Sequence, residues 1–303
     1  MKDLKGNKEY SCDVSIIIVN YHTQRLIADC LESILRLTRD VTYEVVVVDN
    51  ATGPGYKEPI ENVAPGFCRY VDLKENIGFG RANNEGFMIA RGRNLLCLNP
   101  DTVLLNNAVK ILSDYLDSHP KAGAVGGNLY DEDMRPALSY RRILPGIWWE
   151  FNELVGFLPE KLIYGVNRVY NTTKKPICVK YITGADLMIR RGVLERSGGF
   201  SSDFFMYYEE TDLCHRISRI GYDVVSVPAA RIQHLEGKSF GDTLHKGRLE
   251  RIEAGREIYI RRNCGRIAGA ISDCLHYMLL KSRAVLGKSE SCGYRLEVFE
   301  KLR

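Results

Sequence analysis

The chain has 303 residues, 45% of them hydrophobic and 26% charged, with a formal net charge of +4. That balance fits a soluble globular protein long enough for one large domain plus an extension, or for two small domains. It excludes a membrane-spanning chain: no run reaches the roughly 18 to 20 apolar residues of a span, and the polar start MKDLKGNKEYSCD lacks a signal-peptide core, so a cytosolic protein is expected.

VSIIIVNY (Val14 to Tyr21) is a β-branched apolar run and predicts a strand buried on both faces. Thr23 is placed to cap a helix, because Ile27, Leu31, Ile34 and Leu35 repeat at helical spacing up to Thr38. YEVVVVDN (Tyr43 to Asn50) predicts a second strand, Gly53 to Gly55 a loop, and Lys57 to Val63 a short helix. FCRYVDL (Phe67 to Leu73) reads as a third strand, and the glycine-rich NIGFGRANNEGF after it enters a helix reaching about Arg91. Asn94 to Pro100 predicts a fourth strand and Val109 to His119 the next helix. Strand and helix alternating through some 120 residues imply a mostly parallel sheet, whose ligands sit beyond the carboxyl ends of the strands. Asn20, Asp49, Asn76 and Asp101 all fall at those ends.

Residues 134–180 are less regular and carry Trp148 and Trp149, read as core packing or as a surface for an acceptor sugar or lipid headgroups. Tyr181 to Arg191 predicts one apolar strand, Gly198 and Gly199 a turn, and YDVVSVPAARIQH a strand ending at His234. The last 60 residues read as helices. Nine cysteines without a CxxC pair argue for buried free thiols, not a disulfide framework or structural zinc.

The glycine-rich segment does not match a dinucleotide fingerprint, because the third glycine of GxGxxG falls at Asn83, and no P-loop is present. Gly78 and Gly80 permit close approach of backbone to a ligand, with Arg81 available for phosphate and Asn84 for hydrogen bonding.

In order, VSIIIVNYHTQRLIADCLESIL, VVVDNAT, NIGFGRANNEGF, LNPDT, ITGADLMIRR, GGF and FFMYYEETDLCHRISRIGY resemble the inverting family 2 glycosyltransferases of GT-A fold, especially bacterial rhamnosyltransferases of polysaccharide synthesis. The likeness covers about residues 13 to 240 and implies an α/β fold with a mostly parallel mixed sheet flanked by helices. It divides the chain into a polar leader (1–12), a GT-A domain (13–245) and a helical extension (246–303).

By that resemblance Asp49 contacts the base of the donor nucleotide, with Asn20 nearby, while Asn76, Gly78, Arg81 and Asn84 lie beside the ribose and diphosphate. Gly184, Ala185 and Asp186 match the floor of the acceptor and donor-sugar pocket. Asp101 matches the last residue of the DxD motif and, with His234, is expected to hold Mg²⁺ or Mn²⁺, leaving Asn99 for the ribose or a water. The first Asp of that motif is missing, so substrate phosphates are expected to complete the metal shell. The family spelling EDxD appears as Glu209, Glu210, Thr211, Asp212, which puts Glu210 at the base position with Glu209 and Asp212 as alternatives.

The implied reaction moves a sugar, first choice L-rhamnose from dTDP-rhamnose, to a saccharide or lipid-linked acceptor. UDP-hexose, UDP-N-acetylhexosamine or galactofuranose donors are the alternatives, and a catalytically silent nucleotide-sugar-binding module is a reading from another class. Residues 246–303 carry 13 Lys/Arg against 7 Asp/Glu, and Ile267, Ile271, Leu275, Met278, Leu279, Val285 and Leu286 repeat at roughly helical spacing with Lys281, Arg283 and Lys288 around the end. Segment 264–288 therefore reads as a helix docked on the domain, on a second subunit, or peripherally on the inner face of the cytoplasmic membrane. Nucleic acid is disfavoured, since the basic residues are interleaved with acids and no RNA-binding motif occurs.

Overall fold

The computed structural model describes residues 10–53, 55–235, 245–285 and 290–303. Residues 1–9 of the polar leader, and Leu286 and Lys288 of the tail, lie outside them. Four parallel strands form the first half of the sheet: β1 (Cys12–Asn20), β2 (Tyr43–Asn50), β3 (Cys68–Leu73) and β4 (Gly92–Leu98), in spatial order β3-β2-β1-β4. Their branched side chains are covered on both faces, as a continuous apolar run requires. On one face lie α1 (Gln24–Leu37), α2 (Lys57–Val63) and α4 (Ala108–Ser118); α3 (Phe79–Ile89) packs on the other through Ala82 and Phe87. Thr23 does not cap α1 with its side chain; its hydroxyl donates to Asn20 Oδ1 instead, at 3.0 Å.

The second half continues with β10 (Asp186–Arg190), β6 (Ala122–Tyr130), β11 (Asp223–His234) and β5 (Thr102–Leu104). Strand β10 runs antiparallel between β4 and β6, making the sheet mixed. The strand expected over Tyr181–Arg191 is broken: β9 (Tyr181–Ile182) pairs with β7 (Tyr140–Arg141), and Thr183 to Ala185 form the link before β10. Strand β6 has no counterpart in the sequence reading, because its AGAVGGNLY spelling is too rich in glycine to look like a strand. The glycines are there because neighbours crowd them: a Cβ at Gly127 would lie 2.7 Å from the Ala230 carbonyl. The irregular middle contains α5 (Ile147–Leu154) and α6 (Leu158–Tyr164), then β8 (Ile177–Cys178) on β11; α7 (Arg191–Ser197) and α8 (Glu209–Arg219) follow β10.

The C-terminal helices α9 (His245–Asn263), α10 (Arg266–Val285) and α11 (Glu290–Lys301) pack on each other, and α10 packs on α5. A buried polar network joins them. Arg256 donates to Glu150 (2.7 Å), Asp273 (2.9 Å) and Ser272 (3.2 Å), while His276 sits between Glu150 (3.0 Å) and Glu253 (2.9 Å). Burial alone would lower the His276 pKa, but the two carboxylates outweigh it and raise it, making an imidazolium with both N–H groups bonded. Burial likewise opposes ionisation of Glu150 and Glu253, yet His276 and their arginine partners hold both below the usual carboxyl value.

The signs fix the pH response. The His276 contribution is complete below the imidazole's unfolded value and is lost as pH rises through its raised folded value; the carboxylate contributions are lost as pH falls through their lowered values. Thermal stability should therefore plateau at mildly acid to neutral pH and decline on both sides. In His276→Gln the alkaline decline should disappear, with a loss of about 3 kcal/mol on the plateau from the carboxylate left unpaired. Melting curves across pH check this, and an unchanged alkaline limb in the variant would refute it.

Candidate active site

Because β1, β2, β3 and β4 are parallel, Asn20, Asp49, Asn50 and the turns after β3 and β4 all emerge on one edge of the sheet. The start of β10 and the end of β11 reach the same edge, which brings Ala185 and His234 to it. Asn20 and Asp49 face each other across β1 and β2, and Asn20 Nδ2 donates to Asp49 Oδ1 at 2.6 Å and to Thr52 Oγ1 at 2.9 Å. The Thr52 N–H holds the other Asp49 oxygen at 3.0 Å. Asn20 is fully buried, so it orients Asp49 and cannot itself touch a ligand. Asp49 borders a hollow of about 430 Å³ shared with Gly53, Tyr56, Lys57, Asp72 and Lys74.

A neighbouring cleft, also about 430 Å³, is floored by Val19, Thr23, Asn50, Asn76 and Gly78. Asn50 and Asn76 shape its loop: Asn50 Nδ2 donates to Asn76 Oδ1, which also accepts the Gly78 N–H, and Asn50 Oδ1 accepts that of Ile77. Gly78 has φ +89°, and a Cβ there would lie 2.1 Å from the Phe205 carbonyl, which accepts the Phe79 N–H at 3.0 Å. This contact ties the start of α3 to the loop ahead of α8. Gly78→Ala should cost about 1–3 kcal/mol and separate those loops, seen as a lower Tm together with loss of nucleotide-induced stabilisation.

Two residues expected beside the phosphates have other partners. Arg81 donates from Nε to the Ser202 carbonyl at 2.8 Å, and Asn84 clamps Phe200 by both its N–H (3.0 Å) and its carbonyl (2.8 Å). Neither lines the cleft. They fasten the 198–203 turn to α3, a role that a motif match to a binding segment does not separate from ligand contact.

The acidic segment resolves into three environments. Asp212 is 0% exposed; its oxygens accept from Arg216 at 2.8 Å and Asn263 at 3.0 Å, making it a structural link from α8 to α9 and not a candidate base. Glu209 is 4% exposed, its Oε2 has no hydrogen-bond partner, and burial beside Glu210 raises its carboxyl well above the usual value. Glu210 alone of the three keeps a partly exposed edge. Desolvation pushes its carboxyl up to about 7, moderated by the amides of Glu210 and Thr211 at the helix start. Tyr207 and Tyr208 ahead of it are both left-handed, at φ +73° and +70°. Helix α9 lies close against them: a Cβ on Gly255 would be 2.7 Å from the Tyr207 carbonyl.

At the rim, His234 Nε2 stands 3.2 Å from Asp101 Oδ1 and 3.3 Å from Asn99 Nδ2. Pairing of His234 with Thr102 across β11 and β5 sets this meeting. An oxygen and a ring nitrogen at that separation either share a proton or present two lone pairs to one cation, since adjacent ligands around Mg²⁺ at about 2.1 Å are about 3 Å apart. The residues present thus fit a divalent metal, to which Asp101 and His234 are the side chains offered among the described residues. No cluster of three or more His, Cys, Asp or Glu side chains suited to a metal occurs among the described residues.

Asp186 does not form a pocket floor. It is fully buried, accepts the Gly127 N–H at 2.5 Å through Oδ2, leaves Oδ1 without a hydrogen bond, and is pushed by burial up to about 7 despite Gly127 and His234. The Ala185 carbonyl accepts the Asn99 N–H at 2.9 Å, and Gly184 lies against the Phe79 ring, so this pair positions the cleft's walls. The opposite wall comes from residues the sequence reading did not single out: Phe205, Met206, Tyr207, and Arg248 and Arg251 of α9. Arg251 lies over the Phe205 ring at 5.5 Å. The i, i+3 spacing of the two arginines was visible, but nothing local tells a site-facing pair from a solvated one.

Comparison with known proteins fits this geometry. Residues 15–197 match the model of "Glycosyl transferase family 2". An N-acetylglucosaminyl-diphospho-decaprenol L-rhamnosyltransferase of Mycobacterium tuberculosis is 26% identical over 242 residues, covering 75% of this chain and 77% of that protein. A poly-β-1,6-N-acetyl-D-glucosamine synthase of Staphylococcus epidermidis is 23% identical over 249 residues, covering 82% of this chain and 56% of the synthase. Among solved structures, the mannosyltransferase PcManGT of Pyrobaculum calidifontis, in complex with GDP-Man and Mn²⁺, superposes with a TM-score of 0.57 at 18% identity, over 98% of this chain and 84% of that one. The fold is GT-A, and the chain is a glycosyltransferase that belongs to glycosyl transferase family 2.

Proposed function

We propose that the protein transfers a sugar, with inversion, from a nucleotide donor to a saccharide or lipid-linked saccharide acceptor in cell-surface polysaccharide synthesis. L-rhamnose from dTDP-rhamnose is the first choice of donor, supported by the similarity to the mycobacterial rhamnosyltransferase. The staphylococcal similarity supports an N-acetylhexosamine donor as the second reading. The observation that carries the proposal is the convergence of Asp49, Asn76, Asp101 and His234 along one sheet edge, with Arg248 and Arg251 across the cleft.

Asp49, fixed by Asn20 and Thr52, offers carboxylate oxygens to the N–H edge of a base. The Asn76 to Phe79 turn lies beside the ribose. Arg248 and Arg251 supply positive charge where a diphosphate gathers negative charge as it leaves. Asp101 and His234 would hold the metal, which when bound neutralises the diphosphate and stabilises its departure. Glu210 takes the proton of the acceptor hydroxyl as that oxygen attacks the anomeric carbon from the side opposite the leaving group.

Thermal-shift titration with dTDP-, UDP- and GDP-sugars in the presence of Mn²⁺, followed by a transfer assay with the best stabiliser, tests the reading. The cognate donor should raise Tm in proportion to log concentration. Arg248→Ala with Arg251→Ala should weaken its binding by about tenfold or more. Failure of every nucleotide sugar to stabilise the protein would overturn the proposal.

A further inference from the structure

Away from the cleft, helices α5 and α6 turn an unusual set of side chains outward. Trp148, Phe151 and Val155 follow one another at helical spacing along α5, and Leu158, Leu162 and Val166 do so along α6 and the turn after it, with Ile163 beside them. Leu162 is 78% exposed and Ile163 63%. Helix α10, packed against α5, adds Ile267, Ile271, Met278 and Val285 on its own outward side. Of the others placed on the same stripe by the sequence, Leu279 is buried and Leu275 is half-buried. The two tryptophans separate: Trp148 is half-exposed and stacks on Phe151, whereas Trp149 is partly covered, 5.0 Å beneath Arg141 and edge-on to Phe157.

The charges on these helices are sorted by sign. Every carboxylate of residues 147–166 and 266–285 is withdrawn: Glu150 and Glu160 are each 1% exposed, Asp273 is in the buried network, and Glu153 is turned to Arg283 at 3.2 Å. The exposed charges are cationic, namely Lys161, Arg266 and Lys281. Isolated exposed leucines are ordinary, but three helix faces that expose an indole and a set of aliphatic side chains, with cations and no exposed carboxylate on these helices, have a specific physical match. A second copy docked by the same face would bring these cations together with no acid to pair them. An anionic bilayer surface accepts both features, burying the apolar side chains at the headgroup boundary and attracting the cations. Among the described residues no helix is long and apolar enough to cross a membrane.

We infer that α5, α6 and the outward side of α10 form a peripheral docking face that inserts Trp148, Phe151, Leu158, Leu162 and Ile163 into the headgroup layer of an anionic membrane. The inference rests on this surface and not on the sugar-transfer reading.

Flotation of the full chain with vesicles of pure phosphatidylcholine, and with vesicles carrying about 30 mol % phosphatidylglycerol, tests it. The protein should float with the anionic vesicles and only weakly with the neutral ones. Trp148→Ser with Leu162→Ser and Ile163→Ser should lower partitioning by about tenfold or more, with far-UV circular dichroism and Tm retained because the side chains are outside the core. Lys161→Glu with Lys281→Glu should abolish the preference for phosphatidylglycerol. The inference fails if the parent protein stays unbound on anionic vesicles, or if the serine variant floats as well as the parent. It also fails if light scattering finds a parent dimer that the serine variant converts to monomer, which would give the face to a second copy.

Discussion

Glu210→Gln is expected to lower kcat for sugar transfer by about 10²- to 10⁴-fold while donor binding stays near the parent value, because a base acts on the acceptor proton and not on the nucleotide. The parent enzyme should show the matching pH dependence. Glu210 must be ionised to accept a proton, and its carboxyl is pushed up to about 7, so log kcat should rise with unit slope below that pH and level off above it. In Glu210→Gln that limb should vanish. Glu209→Gln should preserve most of the rate, since its buried carboxyl already favours the neutral form. Asp212→Asn should lower stability by weakening the Arg216 pair and act on rate only through that. Near-normal transfer by Glu210→Gln, with activity abolished in Glu209→Gln, would reassign the base.

The second large effect is expected at the rim. Asp101→Ala should remove the carboxylate proposed to hold the metal and lower kcat/KM by about 10³-fold, the scale of losing one major charge-stabilising contact in a transition state. His234→Ala should weaken metal binding in the presence of donor nucleotide, measured by calorimetry, by about tenfold or more. Because the donor's phosphate oxygens are expected to complete the metal shell, Mn²⁺ should bind the nucleotide-free protein weakly and the nucleotide complex far more tightly. Equal affinity in both states would place the ion elsewhere.

Strands β1 and β2 were legible because they are buried on both faces, and a short, unbroken run of valine and isoleucine suits a doubly covered strand far better than any solvated element. The end-of-strand placement of Asp49, Asn76 and Asp101 followed from that topology. Strand β6 was not legible, since its glycines serve packing against Ala230 and Ile182 and erase the β-branched signal. Motif matching also blurred contact with support. Asn20, Asn84, Asp186 and Asp212 belong to the motifs, yet each has polar atoms directed into the protein, and Arg81 at the surface donates to the Ser202 carbonyl, which only three-dimensional partners reveal. Arg248 and Arg251 line the cleft but stand outside the family match at residues 15–197, on a helix read from the sequence only as part of the helical extension.

The paired left-handed tyrosines ahead of Glu210 give the C-terminal helices a further meaning. Tyr207 and Tyr208 occupy a backbone region that costs of order 1 kcal/mol or more per residue, and Gly255 allows α9 to press directly on them. The two halves of the cleft are therefore inherited differently. On the proposed reading the residues assigned to the nucleotide stand on the sheet, whereas the loop that carries Glu210 is held by α9, outside the family match, so changing that splint is expected to alter acceptor use and leave the donor side intact.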